Sequence, residues 1–140
     1  MATLYERLGG QDAISGVVDD FVARCAGDAR INGKFARTDI ARLKRMLVDQ
    51  ICAATGGPCT YQGRDMRETH DGMAVTAGEF DALVEDLVAT LNQLGVGKGE
   101  QDELLAVLGP LRPDIVEVES PATGTPLPAT YKNAPPVAVA

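Results

Sequence analysis

Apolar residues recur along most of this chain at the spacing of a helix face, with no sustained alternation of the kind a strand shows. Between Gln11 and Ala26 the residues Ile14, Val17, Val18, Phe21, Val22 and Cys25 keep that spacing, which predicts one helix with one buried side. Gly27-Asp28 interrupts it, and a turn-rich stretch through Lys34-Phe35 leads to Thr38, the expected N-cap of a second helix from Asp39 to about Thr55. The stripe of that helix is Ile40, Leu43, Leu47, Ile51 and Ala54, flanked by Met46, and Gly56-Gly57-Pro58 stops it.

Further along, Asp65 to about Asp71 has the length of a short helix that places Met66 and His70 on one face. Thr76 and Glu79 form a T-x-x-E capping box ahead of Phe80, Leu83, Val84, Leu87, Val88, Leu91 and Leu94, the strongest helical pattern in the chain. Gly95, Gly97 and Gly99 end it. Acidic Glu100, Asp102 and Glu103 then favour the start of a last helix carrying Leu104, Leu105, Leu108 and Leu111, which Pro110 should kink or shorten. From Glu117 onward the chain is rich in Pro, Ala and Thr without a helical period, so the expected organisation is one all-α domain over 1–116 and a flexible tail over 117–140.

Composition narrows the functional classes. The chain has 140 residues, of which 45% are apolar, enough for one compact core, and a formal net charge of -7. That charge argues against nucleic-acid binding, which needs clustered cations. The one local basic group, Lys34, Arg37, Arg42, Lys44 and Arg45, reads as a solvated helix face. No stretch approaches a membrane-spanning length and Met1 to Arg7 has no apolar signal region, so a soluble, cytoplasmic protein is expected. Cys25 and Cys52 fall on apolar stripes and read as small core residues, whereas Cys59, beside Pro58, is the one expected to be exposed. A Cys52–Cys59 disulfide remains open, although a reducing cytosol disfavours it.

The chemistry concentrates around the only histidine. His70 follows Gly56-Gly57-Pro58, Tyr61 and Gly63-Arg64-Asp65-Met66, while the chain opens with Leu4-Tyr5-Glu6-Arg7-Leu8-Gly9-Gly10 and carries Phe21 and Phe35 between. In this order and spacing the residues resemble the group I truncated haemoglobins, over Leu4 to about Val116. The resemblance implies a truncated globin fold, a two-over-two helical sandwich around non-covalently bound haem b. It implies His70 as the proximal iron ligand, its ring oriented by an acceptor on its other nitrogen. It further implies haem contacts from Phe35, Leu43, Leu47, Met66, Phe80 and Leu83, with Leu87 closing the pocket. Lys44, Tyr61 and Arg67 are the candidates for holding propionates.

The distal side departs from the family's pattern. The family commonly has a tyrosine directly after the helix phenylalanine, and here Phe21 is followed by Val22; a glutamine often assists from the next long helix, and its place is taken by Leu47. The expected distal pocket is therefore Val22, Leu43, Met46, Leu47, Gln50 and Ile51. Without a donor, dioxygen retention should fall by roughly ten- to a hundredfold, unless Gln50 supplies one. Nitric oxide dioxygenation, an activity of relatives, is disfavoured for the same reason.

The primary expectation is thus a protein that binds oxygen, carbon monoxide or nitric oxide, served by a reductase and existing as a monomer or weak homodimer. The alternative is an electron-transfer or sensing haem protein in which Met46 is the sixth iron ligand; its plainer role is apolar packing. A third reading is a haem-free helical interaction module. A hydrolase is unsupported, since neither Ser15 nor Ser120 lies in a nucleophile elbow, and covalent haem attachment lacks a C-x-x-C-H motif.

Overall fold

A computed structural model describes residues 3–35, 38–59 and 72–128, whose regular elements are helices, with one isolated parallel bridge, Thr76 to Val118. Helix α1 (Leu4–Leu8) starts on a capping box in which Thr3 and Glu6 exchange hydrogen bonds, and it stops at Gly9, whose φ of 109° only glycine tolerates well. Helix α2 (Gly10–Gly27) buries the whole expected stripe, Ile14 to Cys25. A 3-10 turn (Asn32–Phe35) leads to α3 (Ile40–Ala54). Helix α4 (Ala77–Gln93) begins on the Thr76–Glu79 capping box, and α5 (Lys98–Leu108) continues through a second 3-10 turn (Gly109–Leu111) into α6 (Arg112–Ile115). Pro110 does shorten the last long helix, as expected. The N-cap of α3 is Asp39, not Thr38: its carboxylate accepts the Arg42 amide at 3.2 Å.

Helix α2 is the hub. Both α3 and α4 pack on it, α1 packs on α2 and α5, and α3 and α4 barely meet each other. The main core joins Ile14, Val18, Cys25, Cys52, Leu91 and Leu104, all nearly inaccessible to water. A second cluster, Met73, Val75 and Phe80 with Val84, Ile115, Val116 and Leu127, lies at the start of α4.

Two expectations fail here. Lys34 is not on a solvated face; it is 4% exposed, because its ammonium donates to Met73 O at 2.8 Å, Pro126 O at 3.0 Å and Ala74 O at 3.4 Å, and faces Glu79 Oε1 at 3.7 Å. The described part of the tail, 117–128, is packed along the start of α4. Ala77 N donates to Val118 O and Gly78 N to Ser120 O, both at 3.0 Å, and the amide and hydroxyl of Thr125 donate to Glu79 Oε2 at 2.8 and 2.7 Å. A segment without helical period can still be ordered when its backbone and one apolar side chain, Leu127, find partners.

At the C-terminal end of α2, Asp28 is forked by Arg30, whose guanidinium also reaches Glu85 at 3.3 Å and Asp86 at 3.8 Å. Burial, then the neighbouring Asp28, pushes the Asp86 carboxyl up to about 6. Arg30 pulls Asp28 down to about 2. The signs oppose. Asp86 holds its proton more tightly folded than unfolded, so its contribution is complete near pH 4 and lost as pH rises through about 6; the contribution of Asp28 is complete above about pH 4 and lost as pH falls towards 2. Asp86→Asn should therefore stabilise the protein at pH 7, by about 1–3 kcal/mol in urea unfolding, and give almost no gain at pH 4. A gain equal at both pH values would show that Asp86 titrates normally.

Candidate functional site

Helix α3 buries only the last part of its apolar stripe. Ile51 is 6% exposed and Cys52 fully buried, whereas Leu43, Met46, Leu47 and Gln50 are only half-buried. The cause is geometric. One flank of α3 lies against α2, and among the described residues α3 and α4 barely touch. Leu43, Leu47 and Val48 still touch the main core, which they share with Phe35 from the 3-10 turn and Leu83 from α4, both also half-buried. Buried Phe21, Val22 and Leu87 belong to the same cluster.

Val22, Phe35, Leu43, Leu47, Ile51 and Leu83 all belong to the main apolar cluster, and the four half-buried ones, Phe35, Leu43, Leu47 and Leu83, leave it partly open. Such a half-open face fits a flat, largely apolar group: covering it would recover about 25 cal/mol for each Å² removed from water. Its chemistry is equally clear from what it lacks, since those six side chains carry no hydrogen-bond donor.

Other expected contacts fall elsewhere. Phe80 is buried in the second cluster with Met73, Val75 and Leu127 and is not part of the group around Leu83. Lys44 Nζ faces Asp19 of α2 at 3.4 Å and is half-exposed. Tyr61, Met66, Arg67 and His70 lie outside the described residues, so the proximal side stands on sequence alone.

The C-terminal end of α3 is fastened by a disulfide, the alternative that a reducing cytosol would disfavour. Cys52 and Cys59 are joined by a disulfide, whereas thiols were favoured and Cys59 was expected to be exposed; Cys25 is the free cysteine, buried as expected, and burial pushes its thiol up to about 12. Tyr5 N donates to Thr55 O at 2.8 Å, and the Tyr5 ring lies against Gly57, where an added Cβ would come within 2.4 Å of the ring and 2.7 Å of Cys52 Sγ. The glycine pair and the two cysteines seven residues apart were the visible signals.

The bacterial-like globin family matches residues 3–117. A group 1 truncated haemoglobin of Synechocystis is 41% identical over 113 residues, 78% of this chain and 91% of its own. The chain belongs to the group 1 truncated haemoglobins. Among solved structures, the Fe(III) truncated haemoglobin of Tetrahymena pyriformis superposes on this globin with a TM-score of 0.79 at 35% identity, covering 82% of this chain and 98% of that one. The 2/2 haemoglobin of Synechococcus, in the cyanomet state and with covalently attached haem, does so with a TM-score of 0.78 at 36% identity, with the same coverage. The globin's helices thus form the expected two-over-two sandwich, and its family implies a haem. The half-open group on α2, α3 and α4 fits that cofactor.

Gly57→Ala should lower the stability of this globin by about 1–3 kcal/mol, because Tyr5 must leave the end of α3. Thermal unfolding checks it in two backgrounds: the loss should shrink when Tyr5 is also replaced by Ala, and equal losses would mean that the ring is not the obstacle.

Proposed function

We propose that this globin is a haem b protein that binds diatomic gases, oxygen, carbon monoxide or nitric oxide, at an iron held by His70, beneath an apolar distal face formed by Val22, Leu43, Met46 and Leu47. The observation that carries the reading is the half-open, donor-free face of α3 opposite buried Val22, in a chain of the truncated haemoglobin family. When bound, the haem supplies an iron whose axial site takes the gas.

The remaining work falls to the chain. Leu43, Leu47, Phe35 and Leu83 hold a flat apolar group by contact and keep water from it. Val22 stands where the family commonly has a tyrosine, and it offers a ligand shape but no proton. Gln50 is half-buried on α3 and is the nearest amide to that face in sequence. Non-covalent retention agrees with the lack of a C-x-x-C-H motif. A pocket of this kind favours carbon monoxide over oxygen, because partial negative charge on bound oxygen goes uncompensated, and it makes nitric oxide dioxygenation a secondary activity. None of the described helices is long and apolar enough to cross a membrane, in keeping with a protein that works in solution.

The test is the visible spectrum of the haemin-loaded protein. The ferrous form should be high-spin and convert to a sharp carbonyl Soret band with carbon monoxide, Met46→Leu should leave both unchanged, and His70→Ala should lose haem affinity. A low-spin ferrous spectrum that Met46→Leu abolishes would assign Met46 as sixth ligand and make the protein an electron carrier or sensor. Absence of haem uptake would refute the proposal.

Val22→Tyr supplies the missing donor and should slow oxygen dissociation by roughly ten- to a hundredfold. Stopped-flow displacement of oxygen by carbon monoxide measures this, and an unchanged rate would mean that Val22 does not face the ligand or that Gln50 already donates.

A further inference from the structure

The family match ends at residue 117, and the Tetrahymena haemoglobin uses 98% of its chain to cover 82% of this one. Segment 118–128 lies beyond the matched part, yet it is packed, and it forms a strap across two elements. Its first half lies on the start of α4: Gly78 N donates to Ser120 O, and an added Cβ on Gly78 would run into the carbonyl oxygens of Pro121 and Ala122. Its second half lies along the connection from α2 to α3. Gly124 N donates to Arg30 O at 2.6 Å, Thr125 O is 3.6 Å from where a Cβ on Gly33 would stand, and Pro126 O accepts the Lys34 ammonium at 3.0 Å.

The element held in this way is weak by itself. The 3-10 turn Asn32–Phe35 is four residues long, too short to keep a fixed position through its own hydrogen bonds. Its place is set from two sides. On the inside, the preceding Ile31 is buried in the main core. On the outside stand the strap and the Lys34 side chain, whose ammonium also holds Met73 O and Ala74 O and faces Glu79. Thr125 secures the arrangement by giving its amide and hydroxyl to Glu79 Oε2. Phe35, directly after Lys34, packs half-buried against the main core, as Leu43, Leu47 and Leu83 do.

We propose that strap residues 124–126, together with Lys34 and Glu79, are positioning residues for Phe35: they hold the 3-10 turn from behind and so fix the Phe35 ring as one wall of the haem site. The inference rests on the reading of Phe35 as a haem contact. The strap acts through the turn and not on the haem. With the strap displaced, the turn opens locally more often, the Phe35 ring leaves the core surface for part of the time, and haem escapes faster.

The test uses the full-length, haem-loaded protein. Gly124→Ala strains the strap where it meets the turn, because Gly124 has a φ of 69° and an added Cβ would lie 3.2 Å from Ala29 O. Gly78→Ala displaces the strap from α4, while α4 itself gains from alanine. Both variants should raise amide hydrogen exchange at residues 31–35, and both should speed haem transfer to excess apomyoglobin about tenfold, or about 1.4 kcal/mol. Phe35→Ala should speed the transfer by itself, and in that background neither glycine substitution should add more than about twofold. The proposal is overturned if exchange at 31–35 or the transfer rate stays at the wild-type value in both variants. It is overturned equally if the acceleration is the same with and without the Phe35 ring, even where melting temperatures fall. Transfer from Phe35→Ala at the wild-type rate would sink it through the haem contact on which it rests, and a wild-type protein that takes up no haemin would remove the haem reading itself.

Discussion

The buried pair of Lys34 and Glu79 is the constraint on which this structure turns. Removing two charges from water costs several kcal/mol for each ion, and attraction at 3.7 Å does not by itself offset that. Here the remaining capacity of both groups is used. The ammonium has three protons and finds three backbone carbonyls; the carboxylate receives the amide of Thr76 and both the amide and hydroxyl of Thr125. These partners come from the first 3-10 turn, the loop ahead of α4, the first turn of α4 and the C-terminal strap. The pair is tolerable only when all four arrive together, so it specifies one arrangement of segments that otherwise have little apolar surface to hold them.

On the opposite flank the economy is reversed. Helix α3 leaves Leu43, Met46 and Leu47 half-exposed, although α2 buries its whole stripe. An isolated protein gains nothing from such a face, and the family's cofactor gives it a use. The disulfide, Tyr5 on Gly57 and the Thr55 carbonyl fasten the end of this helix to the start of the chain and to the residues that follow it.

How far the sequence could be read follows from where each element draws its stability. The stripe of α2 and the Thr76–Glu79 box were legible because local spacing and a local hydrogen-bond pair determine them. The N-cap of α3 missed by one residue, since Thr38 and Asp39 are both good caps and only geometry separates them. Burial of Lys34 was not legible: its partners are main-chain carbonyls up to 92 residues away, and a carbonyl leaves no mark in the sequence. The same holds for the strap, which is bound largely through its own backbone and has a composition that suggests a free tail. The proximal role proposed for His70 comes only from resemblance, from motifs that mean little singly, and the residue lies outside the described ones. The apolar distal residues needed both kinds of reading: periodicity put them on one face, and the family pattern gave that face its meaning.

The strap also sets an order of events in the making of the molecule. Lys34 and Glu79 are translated long before Thr125 and Pro126, and Gly124 N closes on Arg30 O across most of the chain at 2.6 Å. A ribosome-bound chain lacking residues 118–128 has made every long helix yet still holds two charges short of their partners. Because such long-range contacts form late, the loop ahead of α4 gains its remaining partners only once residues 118–128 have been made. The buried pair is therefore closed by a segment made well after the helices it joins, and until then the 3-10 turn and the start of α4 are held without their last partners.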